Sequence, residues 1–361
     1  MEEQARRRVT GILVSLFGVA YFFVCAMPLP KVFGLKPVWA SPIINDSRSE
    51  SSSAAGTGPL LPFSIGGSFG YFDTARGLRF ASRIPSGVSL SREGYAAYDR
   101  VPATIQWKDV QGKLLFETEA AAYPFMAGER RFLLAADQAT VTELDGRGKQ
   151  LWQRTFPSML TAFDASPKLA LFGTLDGHLL GISGEGKVLV DFVPGGSRID
   201  CVFGAAVSPD GTTIAAITGL DRQRIVVMER RNESYRVTWH RYTGSDYRRP
   251  VAMAFSPAGD ILSYETPEGF GLYDVQKRTE HQLVAHQPSH PGAAIASKGV
   301  MLALEEGPKG DLLAFSHEGT RYFSYGFAAL EASLEIEGDS VFLGIRQGSG
   351  MDLLRLDFGE E

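Results

Sequence analysis

From Phe69 to the C-terminus the chain alternates short apolar runs with clusters of Gly, Pro, Asp and Ser, and no long stretch has the 3.6-residue period of an amphipathic helix. Runs of four to eight residues bounded by such clusters predict strands joined by tight turns. One phrase recurs: a turn glycine, usually a polar residue, then an apolar run. It reads GLRF from Gly77, GKLLF from Gly112, GKQLW from Gly148 and GKVLV from Gly186, at intervals of 35, 36 and 38 residues, with a weaker GTRYF from Gly319. Self-similarity at this period marks stacked units that cannot bury their apolar faces alone.

A period near 40 residues selects a ring of four-stranded blades over a sandwich or a simple barrel. Blade five carries the template: strand A is VAMAFS from Val251, strand B is ILSYET, strand C is FGLYDV and strand D is HQLVA. Blade four repeats it with AAVSPDGTTIAAITG from Ala205, and the shared Ser-Pro-x-Gly turn at Ser208 and Ser256 joins A to B. Proline presets φ and glycine accepts positive φ, which suits a tight reversal. Blades three, two and one are read upstream, and blade six runs from Gly292 to about Tyr325. The C-terminus supplies three strands, LEIEG, VFLGIR and DLLRLDF. At the other end FGYFD and LRFASRI resemble a C–D hairpin. Pairing LRFASRI with the C-terminal strands closes the ring and removes the loose edge of an open array. The expectation is an all-β, seven-bladed β-propeller over residues 67–361, with FGYFD surplus; six or eight blades also fit the count.

The Ser208-Pro-Asp-Gly211 and Ser256-Pro-Ala-Gly259 turns resemble those of WD-repeat and TolB-type propellers. The run LDGHLLGISGEGKVLV from Leu175 is similar to the quinoprotein-type repeat, and no Trp-Asp dipeptide is present. The resemblance includes the propeller lipoprotein of outer-membrane barrel assembly. It covers about 290 residues and implies architecture rather than a particular chemistry.

The N-terminal segment sets location. Arg6, Arg7 and Arg8 precede an uncharged apolar stretch at 9–29, about the length that spans a bilayer as a helix. Residues 1–8 then form a cytoplasmic tail and 9–29 a transmembrane signal anchor, with the remainder outside the cytoplasm by the positive-inside rule. Cleavage after Val38-Trp39-Ala40, or lipidation at Cys25, are the competing fates of this segment. Residues 30–66, with their SRSESSSAAGTGP run, read as a flexible linker. The expected place is the inner (cytoplasmic) membrane, single-pass, with the propeller on the periplasmic side.

A net charge of −5 argues against a general nucleic-acid binder. The two cysteines, Cys25 and Cys201, lie in different environments and predict no disulfide. Three loops on one face combine Gly, Asp and Arg: GGSRID with Arg198 and Asp200, GLDRQR with Asp221, Arg222 and Arg224, and GSDYRRP with Asp246, Tyr247, Arg248 and Arg249. Arginine forks suit carboxylates and phosphates, so these nine residues form the candidate interaction face. Pairing of the same Asp and Arg residues across blades is the alternative use.

No catalytic residue, cofactor site or metal site is predicted. His281, His286 and His290 match no metal-ligand spacing. A quinone cofactor would need stacking tryptophans, and Trp107 and Trp152 sit on blade strands while Trp39 lies in the linker. Asp137, Asp176 and Glu268 fall near B–C turns, where carboxylates are common. The expected function is a noncatalytic scaffold with protein partners, with a ligand sensor or a hydrolase or lyase at the channel mouth as the alternative.

Overall fold

Glycine turns at the expected positions set the strands. The computed structural model describes residues 17, 21, 33–43, 59–100, 103–284, 292–295, 300–305, 310–328, 331–338 and 340–358. At the Ser208 turn the Gly211 amide donates to the Ser208 carbonyl at 2.8 Å, and the Thr213 amide donates to Ser208 Oγ at 2.9 Å. Gly211 has φ +71°, a conformation that a side chain strains. Ser256 closes the equivalent turn with the Gly259 and Ile261 amides.

Seven four-stranded blades and one three-stranded sheet form among the described residues. Blade 1 is β5 (Gly87–Ser91), β6 (Gly94–Tyr98), β7 (Thr104–Lys108) and β8 (Leu114–Glu119). Blade 2 is β9 (Ala122–Ala127), β10 (Arg130–Ala135), β11 (Thr140–Leu144) and β12 (Gln150–Thr155). Blade 3 is β13 (Leu160–Ala165), β14 (Leu169–Thr174), β15 (Leu179–Ser183) and β16 (Val188–Phe192). Blade 4 is β17 (Val202–Val207), β18 (Thr213–Thr218), β19 (Arg224–Arg231) and β20 (Ser234–Tyr242). Blade 5 is β21 (Met253–Phe255), β22 (Ile261–Thr266), β23 (Gly269–Asp274) and β24 (Thr279–Val284). Blade 6 is β25 (Gly292–Ile295), β26 (Val300–Glu305), β27 (Gly310–Ser316) and β28 (Arg321–Phe327). Blade 7 joins β29 (Ala332–Glu337), β30 (Ser340–Gln347) and β31 (Gly350–Phe358) to β1 (Phe33–Pro42). The three-stranded sheet is β2 (Leu60–Ile65), β3 (Ser68–Asp73) and β4 (Gly77–Arg83).

The ring closes, but not with the strand expected. LRFASRI lies in β4 and pairs with β3, while the outer strand of blade 7 is β1. Both β1 and β2 fall inside the stretch expected to be linker. Each lies at a sheet edge, where the missing N–H of Pro37 or Pro62 costs the ladder nothing. Leu61, Phe63 and Phe72 then pack with Phe342, Met351 and Leu353 of blade 7, joining the first sheet to the last. Phe69 and Tyr71 pack with Tyr95 of blade 1 on the other side.

The direction of the three-stranded sheet identifies its strands. In blades 3 to 5 the A–B turns stack on one face: a Cβ on Gly259 would lie 3.4 Å from Ser208 Cβ, and one on Gly211 would lie 3.2 Å from Lys168 Cβ. The β2–β3 turn sits on the opposite face, where Arg346 Nη1, near the B–C turn of blade 7, donates to the Gly66 carbonyl at 2.8 Å. The sheet therefore supplies strands B, C and D of a blade without strand A. FGYFD and LRFASRI are its C–D hairpin, as expected, but β2 stands before them as strand B, so FGYFD is not surplus.

Buried polar ties cross between blades. Glu143, 3% exposed, receives Nε and Nη2 of Arg130 at 2.7 Å each, and Arg130 Nη1 donates to the Ser166 carbonyl of blade 3 at 3.0 Å. Asp164 on β13 accepts the Val207 amide of blade 4 at 2.8 Å. Trp107 and Trp152 are buried packing residues of their blades.

The ring lies in the unit Leu35–Asp357; of the other unit, Met1–Gly34 with Phe358–Glu361, only Phe17, Tyr21, Phe33, Gly34 and Phe358 are described. Phe17 and Tyr21 are helical and exposed. The rest of the expected anchor lies outside the described residues. No helix among the described residues is long and apolar enough to cross a membrane.

Candidate functional site

The three arginine-bearing loops meet, as the topology predicts. The Ser197 hydroxyl donates to Asp221, and the Arg198 amide and Nε donate to the same carboxylate at 3.1 and 3.3 Å. The Ser197 hydrogen bond is the largest influence holding the Asp221 carboxyl down, to about 2, and Arg198 adds to it. Arg224 reaches the Pro194 carbonyl, and Tyr242 Oη donates to the Gly196 carbonyl at 3.4 Å. Positive φ at Gly195, Gly196 and Gly219 lets the first two loops approach so closely; a Cβ on Gly219 would lie 3.0 Å from Ser197 Cβ.

Gln223 ties in the third loop. It is buried at 1% exposure between two arginines. Its Oε1 accepts the Ser245 hydroxyl at 2.8 Å and the Tyr247 amide at 3.2 Å, and its Nε2 donates to the Tyr247 carbonyl. Every polar atom of its amide group is used, which fixes the 243–247 backbone. Glu265 anchors the far side: it is buried and takes Nη1 of Arg249 at 2.9 Å and Nη2 on its other oxygen.

The nine candidate residues thus divide. Arg222 lies 4.1 Å over the Tyr242 ring, and Arg249 lies 4.5 Å over the Tyr247 ring while paired with Glu265. Arg224 is half-buried, with Nε unpartnered. Asp200 packs on the Gly177 turn, where a Cβ would lie 2.4 Å from its own, and its Oδ1 is buried without a partner. These residues build the face. Arg198, whose side chain is 90% exposed, projects from it beside the exposed Ile199. Asp246 and Arg248 are also exposed, with no side-chain hydrogen bond or ion pair among the described residues.

The inner strands below this face enclose an apolar cavity of about 470 Å³. Phe125, Leu160, Phe163, Phe203, Pro250 and Met253 line it, from blades 2, 3, 4 and 5. The Phe163 ring centroid stands 5.1 Å from Phe132 and 5.2 Å from Phe172, so its wall is an aromatic cluster. Sequence reading places these rings on strands without showing that they converge. Gln223 and Glu265 carry no sequence signal either, because only burial distinguishes them from surface polar residues.

The isolated turn carboxylates close their own turns. Asp137 accepts the Ala139 and Thr140 amides at 2.9 Å each, and Asp176 accepts the Thr174 hydroxyl at 2.5 Å. No group of three or more His, Cys, Asp or Glu among the described residues is placed to hold a metal ion. His286 and His290 lie outside the described residues.

Known proteins resemble the chain along most of its length. It is 30% identical over 269 residues to an uncharacterized protein of Treponema pallidum (strain Nichols), covering 73% of this chain and 71% of that one. BamB from Moraxella catarrhalis superposes with a TM-score of 0.58 at 12% identity, covering 89% of this chain and 100% of BamB. The computationally designed Ika8 protein reaches a TM-score of 0.61 at 16% identity, covering 83% and 94%. At these identities the two structures share the fold alone with this chain. The family described as beta-propeller protein matches residues 1–359, and the chain belongs to that family.

Proposed function

We propose that this propeller is a noncatalytic scaffold that presents its arginine-bearing loop face to protein partners. The observation that carries the reading is the division of labour within that face. Asp221, Gln223, Tyr242 and Glu265 hold the loops by internal bonds, so little order remains to be imposed on binding. Arg198 and Arg248 project outward from this rigid base, beside the exposed Ile199. An exposed arginine fork next to an apolar side chain suits a partner surface carrying carboxylates.

In this reading residues 9–29 tether the ring to the inner membrane with the propeller on the periplasmic side. The motivation is the Arg6-Arg7-Arg8 cluster before an uncharged apolar stretch. Crosslinking with mass spectrometry in membranes from cells producing the full chain tests the scaffold role. Partner crosslinks should cluster on 194–200 and 243–249, and R198E/R248E should remove them with only a small fall in thermal midpoint, because the Arg198–Asp221 pair it breaks is solvent-exposed. Recovery of no stable protein partner, or crosslinks unchanged in that variant, sinks the proposal.

A further inference from the structure

We infer that the cavity between the inner strands of blades 2 to 5 is a binding site for a single-chain anionic amphiphile, its hydrocarbon in the cavity and its anionic head at Arg248. This site shares Arg248 with the face proposed above, but its cavity does not depend on protein binding there. The walls are aliphatic and aromatic, from Phe125, Leu160, Phe163, Phe203, Pro250 and Met253. The one polar side chain in the lining, Thr161, donates its hydroxyl to the Gly173 carbonyl at 3.2 Å. Walls without free polar side chains hold water poorly and favour hydrocarbon. A volume of about 470 Å³ is in the range of small-molecule sites and exceeds the needs of one inserted side chain.

The entrance supports the same class of ligand. Pro250 and Ala252 are exposed, and Phe125 is 38% exposed, so the cavity opens to solvent. Leu160, Phe203, Pro250 and Val251 stand where the inner strands begin, the end at which the 194–200 and 243–249 loops enter. Arg249 Nη1 donates to the carbonyl of Pro250 itself at 3.0 Å, so guanidinium groups reach the rim. Glu265 neutralises Arg249, whereas Arg248, two positions before Pro250, is exposed with no side-chain hydrogen bond or ion pair among the described residues. An apolar well with an exposed, unpaired arginine two residues along the chain from its rim matches a hydrocarbon chain ending in an anion.

Calorimetric titration of the full chain with alkanoates below their micelle concentrations tests the site. Dodecanoate should bind saturably, one molecule per chain, and affinity should rise about fourfold per methylene from octanoate upward. A252W should fill the mouth and abolish binding with the thermal midpoint retained. R248E should weaken dodecanoate at least tenfold and leave dodecanol unchanged. Lysophosphatidylglycerol serves as the lipid-derived arm. Its tighter binding supports a membrane source for the chain, and tighter dodecanoate binding supports a free acid. Absence of saturable binding, wild-type affinity in A252W, or equal binding of dodecanol and dodecanoate with no effect of R248E overturns the proposal. Preference for N-acetyl-tryptophanamide over dodecanoate overturns it too, because the cavity would then be a side-chain pocket.

Discussion

Arg249 stands between two roles, and one double-mutant cycle decides between them. Glu265 is 2% exposed, and both of its oxygens take guanidinium N–H groups from Arg249. The other polar contact to that carboxylate is the Ala252 amide, 3.5 Å from Oε2. Arg249→Ala therefore strands a buried carboxylate. Breaking a fully buried pair costs about 3–5 kcal/mol. The Arg249 side chain is 49% exposed, so solvent screens part of the attraction and can enter the gap it leaves. We expect a loss of about 2–3 kcal/mol. Unfolding entropy of about 2.1 cal/mol/K per residue over Leu35–Asp357 amounts to about 0.7 kcal/mol/K, so the midpoint should fall by about 3–4 °C. Glu265→Gln removes the charge but keeps an acceptor, and in the R249A background it should recover about half of that loss. Scanning calorimetry of the four proteins measures the coupling. If R249A shifts the midpoint by under about 1 °C and E265Q gives no recovery, the pair does not hold the loop, and Arg249 is free for a ligand.

Two further outcomes follow from the polar groups of the ring. Burial raises the Asp164 carboxyl to about 6 and the Glu335 carboxyl to about 7, against hydrogen bonds from the Val207 and Ala165 amides in the first case and the nearby Arg92 charge in the second. Both groups hold protons more tightly folded than unfolded, so stability should fall as pH rises from about 4 to above 7. D164N/E335Q should flatten that slope in thermal melts, and an unchanged slope would refute the assignment. Gln223→Ala removes the bonds that hold 243–247 and leaves Ser245 without its amide partner; about 2 kcal/mol of stability should be lost. Hydrogen exchange should speed up selectively at Tyr247, and uniform exchange across blade 4 would count against the tie.

Much of the fold was legible in particular residues. The Ser-Pro-x-Gly phrases at Ser208 and Ser256 mark the turns they form, and the glycine phrases at Gly112, Gly148 and Gly186 open D strands. The meeting of the three arginine loops was legible too, because D–A and B–C loops share a face in any such ring. What each arginine does there was not. Arg198 and Arg222 look alike in sequence, yet one is 90% exposed and the other covers Tyr242. The neighbour decides the difference, and Tyr242 stands at the end of β20, across the blade sheet from the loop that carries Arg222.

The amino-acid sequence by itself determined the local elements: where strands begin, where glycine reverses the chain, and that the units repeat around a ring. Apolar runs report that a strand is covered, without reporting by what. The tertiary structure alone decided that β1 completes blade 7 by pairing with β31 more than 300 positions away in the chain, and that β2–β4 forms a sheet without strand A. Pro37 and Pro62 speak against a strand until the fold puts both at sheet edges. The cavity has the same origin. Phe125, Phe163 and Phe203 become one wall only because the ring sets the inner strands of successive blades side by side.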